Sequence, residues 1–369
     1  MRFQTSRPVL AGNELKYVQE AVAGGWISGH GSFVTRFEKE VSRFLNLPDG
    51  IAVCSGTAAL QLAVRALGVE PGDDVIVPSF TFVACPNAVH YAGGRPVFVD
   101  CDPITRNITV PSIEASLTRR TRGVMLVHLF GLPGPAESIR RYCDDHGLWL
   151  LEDCAHSFGA TLNGISTGGF GNAAIFSFYG NKIISTGEGG MVFLAEPEKR
   201  VFVRCLREQG MDPERRHWHL YHGYNARMHN LAAAIGCGQI EMAAYHIAER
   251  RRIAHRYREN LLPLEKAEHV RLPVEPPGCS SVYWLYSLVL SEGGAGRKER
   301  IRERALRKFG IQTRPFYAPM HKLPIYRCDQ TLPNSEFLAD HGIVLPTYAG
   351  LKDEEIDEIS EAISSCILK

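Results

Sequence analysis

Several side chains able to share one piece of chemistry stand in order along the 369 residues. Lys182 lies in SFYGNKIISTGEGG, between an aromatic-flanked serine, Ser177, and a glycine cluster. A loop lysine is ordinarily a solvated charge, but kept from water beside an aldehyde it becomes a nucleophile. Asp153 follows the apolar run LWLL in LWLLEDCAHSFGA. A carboxylate at the end of a buried strand needs a cation or several donors. That partner is either an arginine in a structural ion pair or a protonated ring nitrogen, which the acid would keep protonated. His156, just beyond, either meets a phenolic oxygen or caps a turn. In CSGTAAL, Gly56 and Thr57 follow Ser55 where a strand gives way to a helix. Such a junction suits a phosphate, and its Ser and Thr suit helix capping equally. SFTFVA, from Ser79 to Ala84, offers a flat apolar face. A phosphate cradle, a ring acid, a stacking face and an amine are together what pyridoxal 5'-phosphate (PLP) requires.

The elements that must position these groups read as an α/β fold. IAVCS, DVIVPSF, PVFVDCD, GVMLVHLFG, LWLLEDC, AAIFSF and GGMVFLA are strand candidates. They alternate with helical periodicity, as in TAALQLAVRALG, where Leu60, Ala63, Val64 and Leu67 share a face and Gly68 offers a stop. Strand, helix and strand in succession predict a mainly parallel seven-stranded sheet flanked by helices. Open sheets of this kind bind ligands at the carboxyl ends of their strands, and the candidate residues sit at such ends. The texture changes after about Glu241, predicting a large unit over residues 1–245 and a smaller α+β unit over 246–369. LPVEPPGCSS reads as a boundary or linker. The second unit should hold a strand (VYWLYSLVL), a charged helix (RKERIRERALRKFG), the extended IQTRPFY and a last helix from about Asp353.

Charge and composition narrow the function. Forty-one Lys and Arg against 40 Asp and Glu leave a net charge of +1, so no whole-molecule field favours nucleic acid or an anionic membrane. The arginine-rich helices mix their cations with Glu and read as solvated faces. With no long apolar run and no secretory leader, a cytoplasmic protein is expected. The ten cysteines include no CxxC pair, which suits packing thiols better than a zinc site or a redox dithiol, and no metal is expected. GGFGNAA does not have the spacing of a dinucleotide-binding GxGxxG turn.

GWISGHG, CSGTAALQLA, GDDVIVPSFTFVA, PVFVDCD, EDCAHSFGA, SFYGNKIISTGEGG, GYNARMHNLAAAIGCGQIE, TRPFYAPMHKLPIY and LPTYAGLKDEEI run in the order and spacing of a known family. In these segments, over nearly its whole length, the chain resembles the PLP-dependent nucleotide-sugar aminotransferases of fold type I. The resemblance implies that Lys182 binds the cofactor aldehyde, Asp153 the pyridine nitrogen, and Phe82 the ring face, with His156 near the ring hydroxyl. It implies a phosphate held by Gly56, Thr57 and Ser177, joined by Asn225 of the second subunit of a homodimer whose active sites span the interface. Trp26, Ser28, Arg314, Tyr317 and His321 are implied near the substrate. The resemblance is strongest to members that aminate the 4-keto group of GDP-4-keto-6-deoxymannose with glutamate. A UDP- or dTDP-linked keto-sugar, a cyclitol ketone or an eight-carbon sugar acid stays open, as does a PLP-binding regulatory protein without turnover. A related branch has histidine in place of the lysine and dehydrates its sugar, a chemistry that Lys182 disfavours. Arg314, Lys322, Arg215 and Arg227 are candidates for the diphosphate, each equally readable as a surface charge. Cys85 and Pro86 depart from the small residues usual after the stacking aromatic, and Cys154 stands beside the ring acid.

Overall fold

Each of the seven apolar runs forms a strand of one sheet in the computed structural model, which describes all 369 residues. The strands are β1 (Ile51–Val53), β2 (Asp74–Pro78), β3 (Arg95–Val99), β4 (Thr121–Val127), β5 (Trp149–Asp153), β6 (Ala173–Ser177) and β7 (Gly190–Leu194). Their order across the sheet is β1-β7-β6-β5-β4-β2-β3. Strands β3, β2, β4, β5 and β6 run parallel, while β7 lies antiparallel to both β6 and β1. The reason is the connection. Helices cross between β2, β3, β4 and β5, and a 19-residue segment with the short hairpin of Thr161–Leu162 and Ile165–Ser166 crosses from β5 to β6. In contrast, β6 reaches β7 through the Phe178–Gly189 loop, which folds straight back, so the pair is antiparallel. Since β1 is antiparallel to β7, it points the same way as β5 and β6. The carboxyl ends of β1, β5 and β6 therefore share one edge.

A second hydrophobic cluster contains Ile253, Tyr257, Tyr286, Ile301, Ile343, Ile359 and, from the other end of the chain, Phe3. Around it lies a four-stranded antiparallel sheet of β8 (Val270–Arg271), β9 (Ser287–Leu290), β10 (Arg314–Pro315) and β11 (Gly342–Val344), in the order β8-β9-β11-β10. The helices Ala243–Lys266, Gly294–Phe309 and Asp353–Ile367 flank it. The first of these is continuous across residues 245 and 246, so the chain passes toward the second cluster within a helix rather than through a linker. LPVEPPGCSS, read as a boundary, instead lies within the C-terminal half, where Cys279–Ser280 pairs with Thr161–Leu162. Its glycine signals a turn, since Gly278 has φ +81°. No helix is long and apolar enough to cross a membrane.

Candidate active site

A cavity of about 430 Å³ opens at the carboxyl edge of the large sheet, lined by residues from β1, β5 and β6 ends and from the β10 segment. Gly56, Thr57, Phe82, Asp153, His156, Ser177, Lys182, Arg314 and Tyr317 all face it. Three strand ends, the turn after β2 and the second sheet thus bring together nine residues that are far apart in the chain.

The helix Gly56–Ala66 begins at the cavity wall. Its N-cap is Ser55, whose Oγ accepts the Ala58 N–H at 3.1 Å. Ser55 therefore does the capping, while Gly56 and Thr57 occupy the first positions of the helix, where backbone N–H groups lack helical partners. Ser177 stands across from them. A Cβ added at Gly56 would lie 2.8 Å from Ser177 Cβ, so only glycine lets this wall close while leaving room for an anion. Phe82, at 52% exposure, presents its ring to the opening.

Asp153 ends β5 and is buried, and no arginine meets it. Its Oδ1 accepts the Ala155 N–H at 2.9 Å, and its Oδ2 accepts the Cys85 thiol at 3.0 Å. The remaining lone pairs are free for a donor in the cavity. This removes the structural ion pair as an account of the residue and leaves the second reading standing. Its neighbour Glu152 points the other way. Glu152 Oε2 accepts from the imidazole Nε2 of His128 at 2.9 Å and from Gly168 N, while Oε1 accepts from Phe170 N and Gly171 N. The His128 ring is fixed in turn, its Nδ1 accepting the Gly134 N–H at 2.9 Å. One acid of the pair thus clamps two loops, and the other faces the cavity.

Lys182 sits in the Phe178–Gly189 loop with its Nζ 4.2 Å from the centre of the Trp284 ring. Burial pushes the amine down to about 7, with Arg314 adding to the effect and Asp153 opposing it. The loop is held from behind. Trp284 Nε1 donates to the Asn181 carbonyl at 2.7 Å, and the buried Arg250 guanidinium donates to the carbonyls of Lys182, Thr347 and Trp284. Arg250 has no acid partner, and burial lowers it to about 10. Trp284 also stacks on His156, with ring centres 3.8 Å apart and planes 14° apart. His156 Nε2 faces the Tyr317 hydroxyl at 3.4 Å, and its Nδ1 is buried with no partner. Burial and the nearby Lys182 hold this imidazole well below its usual range, so it is neutral. The Tyr317 hydroxyl is pushed above the usual phenol range, chiefly by burial and then by Asp153.

Trp284 and Arg250 carry much of this arrangement, and sequence reading missed both. Trp284 was read as part of a strand, though β9 begins only at Ser287. Arg250 was read with its basic helix as solvated, whereas its position on the buried face, in step with Ile253, Ala254 and Tyr257, was a legible signal.

Four expected residues lie outside this cavity within one subunit. His321 is wholly buried behind it, with Nδ1 on Ser79 Oγ at 2.6 Å and Nε2 on Glu336 Oε1 at 3.0 Å. With both ring nitrogens engaged it has none to offer a substrate, and the expectation of contact is corrected. Trp26 and Ser28 lie in an exposed loop pinned through its backbone, where Asn230 Nδ2 donates to the Trp26 carbonyl and Asn230 N to that of Ser28. Asn225 is exposed, away from the cavity of its own chain. Among the expected phosphate cations, Arg227 pairs with Glu208 at 2.9 Å and Lys322 with Glu336 at 3.1 Å. Arg215 lies over the Trp218 ring at 3.9 Å. Arg314, facing the cavity, has no ion pair.

These residues fit PLP. The Gly56–Ser177 wall suits a phosphate, Asp153 has lone pairs to spare, Lys182 supplies an amine, and two buried polar atoms on cavity residues, His156 Nδ1 and Asn181 Oδ1, lack partners within the protein. A family model described as the DegT/DnrJ/EryC1/StrS aminotransferase family matches residues 8–364. The chain is 39% identical over 369 residues to the GDP-perosamine synthase of Caulobacter vibrioides, covering 100% of this chain and 99% of that protein. It is 38% identical to the GDP-perosamine synthase of Vibrio cholerae, over 97% of each chain. Its structure is similar to that of the aminotransferase TlmJ from Streptoalloteichus hindustanus, with a TM-score of 0.93, 30% identity and 99% of each chain covered. With the fold, the cavity and the sequence match all agreeing over almost the whole length, the chain belongs to the DegT/DnrJ/EryC1/StrS family of PLP-dependent aminotransferases.

Proposed function

We propose that this transaminase moves an amino group from L-glutamate to the 4-keto group of GDP-4-keto-6-deoxymannose, giving GDP-perosamine, a building block for lipopolysaccharide O-antigen. The observation that carries the proposal is the end-to-end similarity to GDP-perosamine synthases, together with an intact amine, acid and cradle around one cavity. Bound PLP supplies an electron sink that stabilises negative charge on a carbon next to the nitrogen it holds.

Asp153 keeps the ring nitrogen protonated, and Phe82 covers a ring face. Gly56, Thr57 and Ser177 hold the phosphate, and neutral His156 meets the ring hydroxyl. Lys182 would hold the cofactor aldehyde, and its low-lying amine, when free, would be able to take a proton from the donor's α-carbon. The Trp284 face lies 4.2 Å from that amine and covers one side of it. Arg314 is the unpaired cation available to an anionic substrate group, and Tyr317 stands beside it. The enzyme acts as a cytoplasmic homodimer in which Asn225 reaches the partner's phosphate site, and Trp26 and Ser28 reach the sugar nucleotide. The exposed Trp26, Ile27, Trp218, Leu220 and Tyr224 support such an interface.

The test is an acceptor screen. Purified protein with PLP and glutamate should convert GDP-4-keto-6-deoxymannose and release 2-oxoglutarate, while UDP- and dTDP-linked keto-sugars react at least about 100-fold more slowly by kcat/KM. Equal turnover of a 3-keto or UDP-linked sugar would move the substrate assignment to that sugar.

A further inference from the structure

The cysteine that departs from the family pattern is in contact with the ring acid. Cys85 belongs to the helix Ala84–Tyr91, and its N–H bonds back to the Phe82 carbonyl at 3.2 Å. One tight turn therefore carries both the stacking ring and the thiol. Cys85 Sγ lies 3.0 Å from Asp153 Oδ2, close for a sulfur donor, and 3.5 Å from Thr81 Oγ1. The thiol is 1% exposed, and burial, then the Asp153 charge, push its ionisation well above the usual range. It therefore keeps its proton and donates it. The Ala155 N–H holds the other oxygen of the same carboxylate at 2.9 Å. Two donors on two oxygens define the carboxylate plane.

We propose that Cys85 is a positioning residue for Asp153: its thiol fixes the carboxylate plane while, as a weak donor, leaving the acid basic enough to hold the ring proton of the cofactor. This rests on the PLP assignment. A hydroxyl in the same place would draw harder on the carboxylate charge, because O–H donors to an anion are much stronger than S–H donors. The ionised acid would then be better stabilised on its own and would bind the ring N–H less firmly. An alanine would leave Oδ2 with no protein donor and release the plane. The other titratable groups around Asp153 are Cys154, Lys182 and Tyr317, with Arg314 acting on the latter two. None of them donates to Oδ2.

Two measurements test the proposal. The first is infrared difference spectroscopy in the S–H stretching region on cofactor-free protein. Subtracting Cys85→Ser from wild type should isolate one thiol band, shifted down from that of a free thiol, and Asp153→Asn should move it. A band at the free-thiol position, or one indifferent to Asp153→Asn, overturns the contact. The second is the ¹⁵N chemical shift of ring-labelled PLP in the loaded enzyme as pH rises. The ring should lose its proton at a pH lower by about half a unit in Cys85→Ser than in wild type. Cys85→Ala should broaden the ring signal, as the carboxylate gains freedom. Identical titrations in wild type and Cys85→Ser overturn the tuning role even if the thiol band is shifted. Protein that shows the shifted band but takes up no PLP overturns the cofactor assignment, and leaves the hydrogen bond as packing only.

Discussion

Lys182 holds a reserve of neutral amine that an exposed lysine could not. With its ionisation near 7 instead of 10.5, roughly half its population is nucleophilic at neutral pH. Capture of PLP by cofactor-free enzyme should therefore speed up as pH rises through about 7 and then level off. A rate still climbing toward pH 10 in stopped-flow absorbance would contradict this. The same burial bears on stability. The lowered ionisation means that the unfolded chain binds more protons between about 7 and 10.5, so stability rises with pH across that window and the penalty is full below it. Lys182→Met should stabilise cofactor-free protein at pH 7 by about 2 kcal/mol in urea denaturation, and by less at pH 10. The lysine and Asp153 were legible because their types and neighbours are unusual where they stand. His321 was misread because a histidine in a plausible segment carries no mark of which way its ring faces, and here Ser79 and Glu336 decide that.

Two elements are fastened by buried charges in addition to apolar packing. Arg250 ties the helix Ala243–Lys266 to the carbonyls of Lys182, Trp284 and Thr347. Arg250→Met would leave those carbonyls unpaired, and unfolding free energy should fall by about 3 kcal/mol. PLP affinity should drop at least about tenfold, because the loop bearing Lys182 loses its anchor. A variant with the stability loss but wild-type PLP affinity would show that the clamp does not reach the site. Glu152 accepts four donors, three backbone N–H groups of the Gly168–Gly171 loop and the His128 ring. Glu152→Gln turns an amide N–H toward one of those donors, and should cost about 3–5 kcal/mol in denaturant titration. The seven strands were readable from apolar runs because a sheet covered on both faces writes itself as unbroken hydrophobic sequence. The clamps were not, since hydrogen bonds to backbone carbonyls depend on which segments meet and leave no pattern along the chain.

At the scale of the molecule, a partner subunit would complete the site through Asn225. Lys182→Ala and Asn225→Ala proteins, each inactive alone, should recover up to about a quarter of wild-type activity when unfolded and refolded together, since half the dimers are mixed and each mixed dimer has one intact site. No recovery, with mixed dimers present by native mass spectrometry, would show that Asn225 serves its own chain. Phe3 shows a coupling of another kind. It lies in the second hydrophobic cluster, with its amide and carbonyl bonded to Gly310 and Gln312, although every other member of that cluster comes from residue 253 or later. On the ribosome this phenylalanine has emerged long before any of its neighbours has been translated. The second core cannot close during synthesis without reaching back for it, so the segment around Phe3 stays without its packing partners until the residues from 253 onward have been made.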